Sequence, residues 1–136
     1  MVDAGRVRGL LQTLSAYRNR LSELASLPMD RYLADQAFTG RYLVQASAQV
    51  CIDIANHIIS SEGWRTPRDF RDAFTVLEEH GVLEEGLAAR IRDLAGLRNR
   101  LVHLYEEVDD VRVHAAIPDG LSDLEAFGRA AARLAE

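Results

Sequence analysis

The fold of this chain is decided by residues 44–59, which read VQASAQVCIDIANHII. The apolar side chains in this stretch recur every three or four residues, which is the period of an α-helix. They also cover much of the helix circumference, and a helix of that kind lies at the centre of a bundle. The sequence therefore predicts a long central helix that begins after an N-cap at Asp30 and ends near Ser61.

Helical spacing continues on both sides of this stretch, and strand signals are nearly absent. A first helix is predicted over residues 3–25, before the break at Leu27-Pro28, because proline disfavours helix at the preceding residue. A third helix is predicted from the start signal Thr66-Pro67 to His80-Gly81, where glycine can end it. A fourth helix is predicted from Glu84 into the region of residue 105.

The last part of the chain carries conflicting helix signals. Asp109 and Asp110 predict the start of a helix, but Pro118-Asp119-Gly120 predicts a kink or an interruption. The sequence Ser122-Asp123-Leu124-Glu125 resembles a capping box, which would open a final helix through Leu134. Together these signals predict an all-α, up-and-down bundle of about five helices, with residues 1–136 as a single domain.

Composition restricts the class of protein. The net charge of −5 argues against a broad basic face that coats nucleic acid, but it allows a small local basic site. No apolar run approaches the roughly 18 residues of a membrane span, and the N-terminal pattern is not that of a signal peptide. We therefore expect a soluble, cytoplasmic protein without membrane contact. Its lone cysteine, Cys51, is expected to be a buried, reduced thiol.

A cluster of chemically active side chains lies in residues 98–105, RNRLVHLY. Arg98 and Tyr105 return to nearly the same face of a helix, and Asn99 shares a neighbouring face with His103, whose ring it can orient. Histidine can exchange protons with a ribose hydroxyl or a leaving oxygen, and arginine can bind the scissile phosphate. Tyr105 can contact the substrate by stacking on a base or by donating a hydrogen bond to phosphate. This set suits RNA cleavage without a metal. Acid–base cleavage usually needs two proton-transfer groups, and this motif supplies one histidine. A symmetric dimer that brings two copies of the motif together would supply the second.

The same residue types are compatible with structural roles. Arginine and histidine occur close together by chance in many helices, and Tyr105 fits a helix-end aromatic that packs on the core. Asp53 and His57, one helical turn apart, can share a helix face. His57 fits a structural or site-shaping hydrogen bond, and Asp53 is the better supporting candidate because a polar group on a central helix needs a reason to be there. No further ligands stand at spacings that would make a metal site. His80 and His114 are expected at the surface or at helix ends.

The block LAGLRNRLVHLY, residues 94–105, resembles the R-x4–6-H-x-Y signature and its flanks in HEPN-domain proteins. Among these proteins, the block resembles specifically the HepT-like toxins of HEPN/MNT pairs. Residues 51–59 and 74–83 resemble two further blocks of this family, and Asp109 and the apolar pattern of residues 121–127 also fit. The resemblance therefore covers most of the chain.

This resemblance implies a homodimeric ribonuclease with no metal or other cofactor, which cuts tRNA or mRNA as a growth-arresting toxin. It implies that Arg98 and His103 are the catalytic pair and that Asn99 supports the site. It also implies that an MNT antitoxin, a minimal nucleotidyltransferase, attaches AMP to Tyr105 and so blocks the cleft beside Arg98. The alternative is a non-catalytic helical dimer that binds a nucleotidyltransferase partner or a nucleotide.

Overall fold

The computed structural model describes residues 2–136, with only the backbone for Tyr105. This part of the chain folds into six α-helices and one 3-10 turn and contains no strand, so the all-α prediction is confirmed. The helices are α1 Ala4–Ala25, α2 Met29–Asp35, α3 Ala37–Glu62, α4 Phe70–Glu79, α5 Glu85–His103 and α6 Asp110–Leu134, and the 3-10 turn is Tyr105–Glu107. Among them, no helix has the length and apolar character needed to cross a membrane.

The central helix of the bundle is α3, as the sequence predicts. It packs against α1, α4, α5 and α6. Its side chains at Cys51, Ile54 and Ile58 are fully buried, and their burial removes apolar surface from water on several sides of the helix at once. Burial also raises the pKa of the Cys51 thiol, which keeps it protonated and unreactive.

The long helix predicted from Asp30 to Ser61 is in fact two helices. The chain leaves helical geometry at Gln36, with φ −125° and ψ 3°. Because α2 begins directly after Pro28, Asp30 lies in its first turn and is not the N-cap. The break lets the ring of Tyr32 lie fully buried against α3, where a Cβ at Gly40 would overlap its hydroxyl. Apolar spacing alone could not reveal the break, because both helices keep the same period.

The interruption predicted at Pro118 is also wrong. Helix α6 passes through Pro118 without a break, and no new helix begins at Ser122. Proline inside a helix costs about 3 kcal/mol, but the side chains of Ile117 and Leu124 on either side are buried in the core. Their packing holds the helix continuous. The predicted start is confirmed, since the Asp109 carboxylate accepts hydrogen bonds from the first backbone N–H groups of α6.

Two local predictions need correction. Helix α4 begins at Phe70 with Asp69 as its N-cap, so Thr66 does not cap it. His114 is not at the surface: it is 9% exposed, its Nε2 atom lies 3.0 Å from the Leu24 carbonyl oxygen, and its ring contacts Tyr32. His114 is therefore a core residue that ties α6 to the end of α1.

A cluster of charges fixes the start of α4. The Asp72 carboxylate, only 5% exposed, accepts hydrogen bonds from the Arg65 guanidinium at 2.7 and 3.0 Å and from the Arg68 backbone N–H at 2.9 Å. Arg65 also binds Glu79 near the other end of the helix. The Arg65 and Arg68 hydrogen bonds hold the pKa of the Asp72 carboxyl well below its usual range. The segment before α4 is thereby tied to the helix.

The lowered pKa of Asp72 predicts a loss of stability in acid. Because the folded pKa lies below the unfolded value of about 3.8, the stabilisation is complete above that pH and is lost as the pH falls below it. We expect Asp72→Asn to lower the free energy of unfolding at pH 7 by about 1–3 kcal/mol and to flatten its fall in acid. Urea unfolding at several pH values measures both effects. Asp119→Asn, at an exposed carboxylate of α6, is the control. A wild-type pH profile in Asp72→Asn would contradict the assignment.

Candidate functional site

The candidate residues lie on the last turns of α5 and just beyond its end. Glu84 caps the start of this helix, because its carboxylate accepts hydrogen bonds from the Gly86 and Leu87 backbone N–H groups. Ile91, Ala95 and Leu101 are buried in the core. This burial sets the rotation of α5, and it therefore decides the direction of every side chain in the 98–103 segment.

Arg98 is held on two sides. Its Nη1 atom donates a hydrogen bond to Asn99 Oδ1 at 3.0 Å, and its Cζ atom lies 5.1 Å from the ring centroid of Phe70 on α4. Its Nε atom is buried and has no hydrogen-bond acceptor among the described residues. A guanidinium carries five N–H donors, so most of the donor capacity of Arg98 is not used by the described part of the protein.

Both described partners of Arg98 are uncharged, and this distinguishes it from Arg41 and Arg92, two other partly buried arginines. Arg41 pairs with Asp110 at 2.7 Å, and Arg92 pairs with Glu78 at 3.0 Å. Asn99 contributes an amide oxygen and Phe70 a ring face, so neither neutralises the guanidinium. Arg98 therefore carries a positive charge that no described side chain neutralises, and such a guanidinium can bind an anion.

His103 is the last residue of α5, and its side chain is exposed. Its ring is therefore accessible to a substrate, as a proton-transfer group must be. Five residues of helix separate it from Arg98, which corresponds to about 140° around the axis. No hydrogen bond joins the two side chains within the described structure. A ligand that contacts both must therefore reach from the α4 side of α5 to its exposed face.

Asn99 and Tyr105 differ from the expectations in detail. Asn99 binds Arg98, and no described contact links it to His103. Arg98 and Tyr105 do not lie on the one continuous helix that the spacing predicts, because α5 ends at His103 and Leu104 leaves helical geometry with φ −129° and ψ 34°. Tyr105 instead begins the 3-10 turn. Its side chain lies outside the described residues, so its relation to the site stays a prediction.

Asp53 and His57 each make a hydrogen bond in the described structure, but not with each other. The Asp53 carboxylate accepts a hydrogen bond from Gln49 Nε2 at 2.9 Å, one turn earlier on α3. His57 Nε2 accepts a hydrogen bond from the Asp3 backbone N–H at 3.2 Å and thus joins α3 to the start of α1. No described contact connects Asp53 to Arg98, Asn99 or His103, and its supporting role stays a prediction. No set of three or more His, Cys, Asp or Glu residues suited to a metal ion occurs in the described part of the chain.

Sequence reasoning missed Phe70. It is 37% exposed, although it is large and apolar. The sequence does place an aromatic residue at a helix start, directly after Asp69. Nothing in the sequence shows that the start of α4 lies against the end of α5.

A family model described as "Ribonuclease HepT-like" matches residues 14–131. The chain belongs to the HepT-like ribonucleases. Two relatives agree with this assignment. The "mRNA nuclease HepT" of Shewanella oneidensis is 36% identical over 85 residues, which span 62% of this chain and 63% of the relative, just under two thirds of its length. The "tRNA nuclease HepT" of Aphanizomenon flos-aquae is 32% identical over 122 residues, 88% of this chain and 82% of the relative.

Solved structures show that this HepT-like chain has the fold of the HEPN toxins. A tri-AMPylated Shewanella oneidensis HEPN toxin, solved in complex with its MNT antitoxin, superposes with a TM-score of 0.83 at 26% identity over 96% of this chain and 97% of that one. A cytosolic Bacillus subtilis protein of unknown function shares the fold, with a TM-score of 0.82 at 18% identity over 98% of this chain and 90% of that one. The predicted family, fold class and ribonuclease class are therefore confirmed.

Proposed function

We propose that this HepT-like protein is the toxin of a toxin–antitoxin pair, that it cleaves tRNA or mRNA without a metal, and that AMPylation of Tyr105 silences it. The observation that carries this proposal is the Arg98 guanidinium, which is fixed by uncharged partners and lies on the same helix end as the exposed His103. The relatives named as mRNA and tRNA nucleases support the substrate class. The AMPylated HEPN toxin bound to an MNT antitoxin supports the mode of regulation.

In this mechanism Arg98 binds the scissile phosphate and His103 moves the proton. His103 takes the proton from the ribose 2′-hydroxyl, whose oxygen then attacks the phosphorus as the bond to the 5′-oxygen breaks. The phosphate becomes a 2′,3′-cyclic ester, and the departing 5′-oxygen takes up a proton from a protonated His103 of a second copy. Arg98 stabilises the additional negative charge that develops on the phosphate oxygens during the attack.

The second histidine makes a homodimer part of the proposal. A face beside the motif is suited to self-association: Leu94 and Leu97 of α5 and Leu121 of α6 line a groove of about 350 Å³, and Leu104 beyond the end of α5 is 48% exposed. Burial of this apolar surface by a second copy would bring the two motifs near one another.

AMPylation would add a negative charge to the site. The Tyr105 hydroxyl oxygen forms a bond to the α-phosphorus of ATP on the antitoxin, its proton is released, and pyrophosphate leaves. The product carries a phosphodiester anion and a nucleoside at residue 105, two positions after His103. An anion at this place competes with RNA for Arg98, and the nucleoside obstructs access to His103.

The function is tested with the purified chain and total tRNA and mRNA in the presence of EDTA. We expect discrete cleavage products that end in a cyclic phosphate, and loss of cleavage after incubation with the cognate nucleotidyltransferase and ATP. Light scattering on the same sample is expected to give the mass of a dimer. If RNA stays intact while the nucleotidyltransferase binds tightly, the chain is a non-catalytic binding module and the proposal is wrong.

A further inference from the structure

The ring of Phe70 forms one wall against the Arg98 guanidinium. The distance of 5.1 Å from Arg98 Cζ to the ring centroid lies within the range over which an aromatic face attracts a cation. The hydrogen bond from Nη1 to Asn99 Oδ1 holds a second edge of the guanidinium. Together these two contacts determine where the guanidinium plane lies.

Phe70 has no evident part in the core. The other apolar residues of α4 are buried, namely Ala73, Phe74, Val76 and Leu77. Phe70 is 37% exposed and does not belong to the set of partly buried side chains that pack against the core. In the described structure, the Phe70 ring contacts the Arg98 guanidinium. A contribution to the site therefore explains its position better than a contribution to stability does.

The backbone under Phe70 is rigidly held. Asp69 caps α4 by accepting a hydrogen bond from the Asp72 N–H at 2.7 Å, and the Asp72 carboxylate is in turn bound by Arg65. Arg71 Nη1 donates to the Arg92 carbonyl oxygen at 3.1 Å and so links α4 to α5. The ring is thus presented from a first turn that is fixed relative to the helix that carries Arg98.

We propose that Phe70 is a positioning residue, which holds the Arg98 guanidinium in the orientation needed to bind the scissile phosphate. The inference rests on the proposed role of Arg98 in RNA cleavage. An arginine side chain loses much rotational freedom when it is ordered, and the ring causes this loss before the substrate arrives. A carboxylate could also order the guanidinium, but it would compete with the phosphate for the same N–H groups. An aromatic ring orders the guanidinium and leaves its charge available.

The test compares Phe70→Leu, which keeps an apolar side chain but removes the ring, with Phe70→Tyr, which keeps the ring. We expect Phe70→Leu to lower kcat for RNA cleavage about 10-fold or more, with little change in KM or Tm, and Phe70→Tyr to restore it. The matched control is Phe38→Leu. The Phe38 ring lies 5.4 Å from Arg41 Cζ but is 78% exposed and on α3, and its loss is expected to leave cleavage unchanged.

A second readout separates this inference from the proposed function. The ring shifts the NMR resonances of the Arg98 side chain, which are assigned by their loss in Arg98→Gln. We expect Phe70→Leu to move the Arg98 Nε–H resonance and Phe70→Tyr to leave it near its wild-type position. If no variant, including the wild type, cleaves RNA but the resonance moves, the positioning holds and the ribonuclease proposal fails. If Phe70→Leu cleaves at the wild-type rate with an unmoved resonance, Phe70 does not position Arg98.

Discussion

His103→Ala is expected to lower the rate of RNA cleavage by about 10²–10⁴-fold, the range that a general acid or base contributes. The side chain is exposed at the end of α5, so its removal leaves no cavity in the core and the free energy of unfolding should stay nearly unchanged. The loss therefore reports proton transfer and not folding. Arg98→Ala is expected to lose cleavage as well, through the charge that develops on the phosphate.

Growth and total RNA measure this effect in cells. Expression of the wild type is expected to stop growth and fragment RNA, whereas His103→Ala is expected to allow growth with intact RNA. His80→Ala is the matched control, because His80 is also an exposed histidine at a helix C-terminus but stacks on Trp64 at the end of α4. It should remain toxic. Equal growth and intact RNA for wild type and His103→Ala would end the ribonuclease proposal.

The dimer in the mechanism is tested by mixing wild-type and His103→Ala chains. Because each proposed site uses one His103 from each copy, a hybrid dimer has no complete site. Random assortment in an equal mixture then leaves about a quarter of the activity of the same total amount of wild type. Mixed samples that form hybrids but keep half of that activity would show that each copy supplies a complete site.

Tyr105→Phe is expected to remain toxic and to resist the antitoxin completely. The substitution removes only the hydroxyl oxygen that would receive AMP, and it leaves Arg98 and His103 in place. Incubation with the nucleotidyltransferase and labelled ATP measures the modification, and co-expression measures the loss of protection. Tyr42→Phe is the control, because Tyr42 is 59% exposed on α3 and its loss should leave modification intact. AMP incorporation into Tyr105→Phe at the wild-type level would contradict the assignment.

Local signals were sufficient for much of the fold. A cap acts on N–H groups within three residues of itself, so the starts at Glu84 and Asp109 were visible in the sequence. Gly81 has φ +75°, a left-handed conformation that suits glycine after a helix, and the end of α4 was predicted there. The central burial of α3 follows from its own apolar circumference.

The wrong predictions concern places where packing overrides local preference. Pro118 disfavours a helix, but the burial of the neighbouring Ile117 and Leu124 keeps α6 continuous. Gln36 carries no breaking signal, yet the helix breaks there and Tyr32 is buried against Gly40. His114 is polar, yet the Leu24 carbonyl oxygen gives it a partner in the core.

The candidate site also has features that local sequence predicts and features that depend on tertiary packing. The sequence by itself determined the family and the all-helical class, and it predicts that Arg98 and His103 act together, because these depend on residues that are close along the chain. Only the tertiary structure decided that Arg98 lies against Phe70 with uncharged partners and that α5 ends before Tyr105. The physical reason is that helical periodicity specifies which face of a helix is buried. It does not specify which residue of another helix that face will meet.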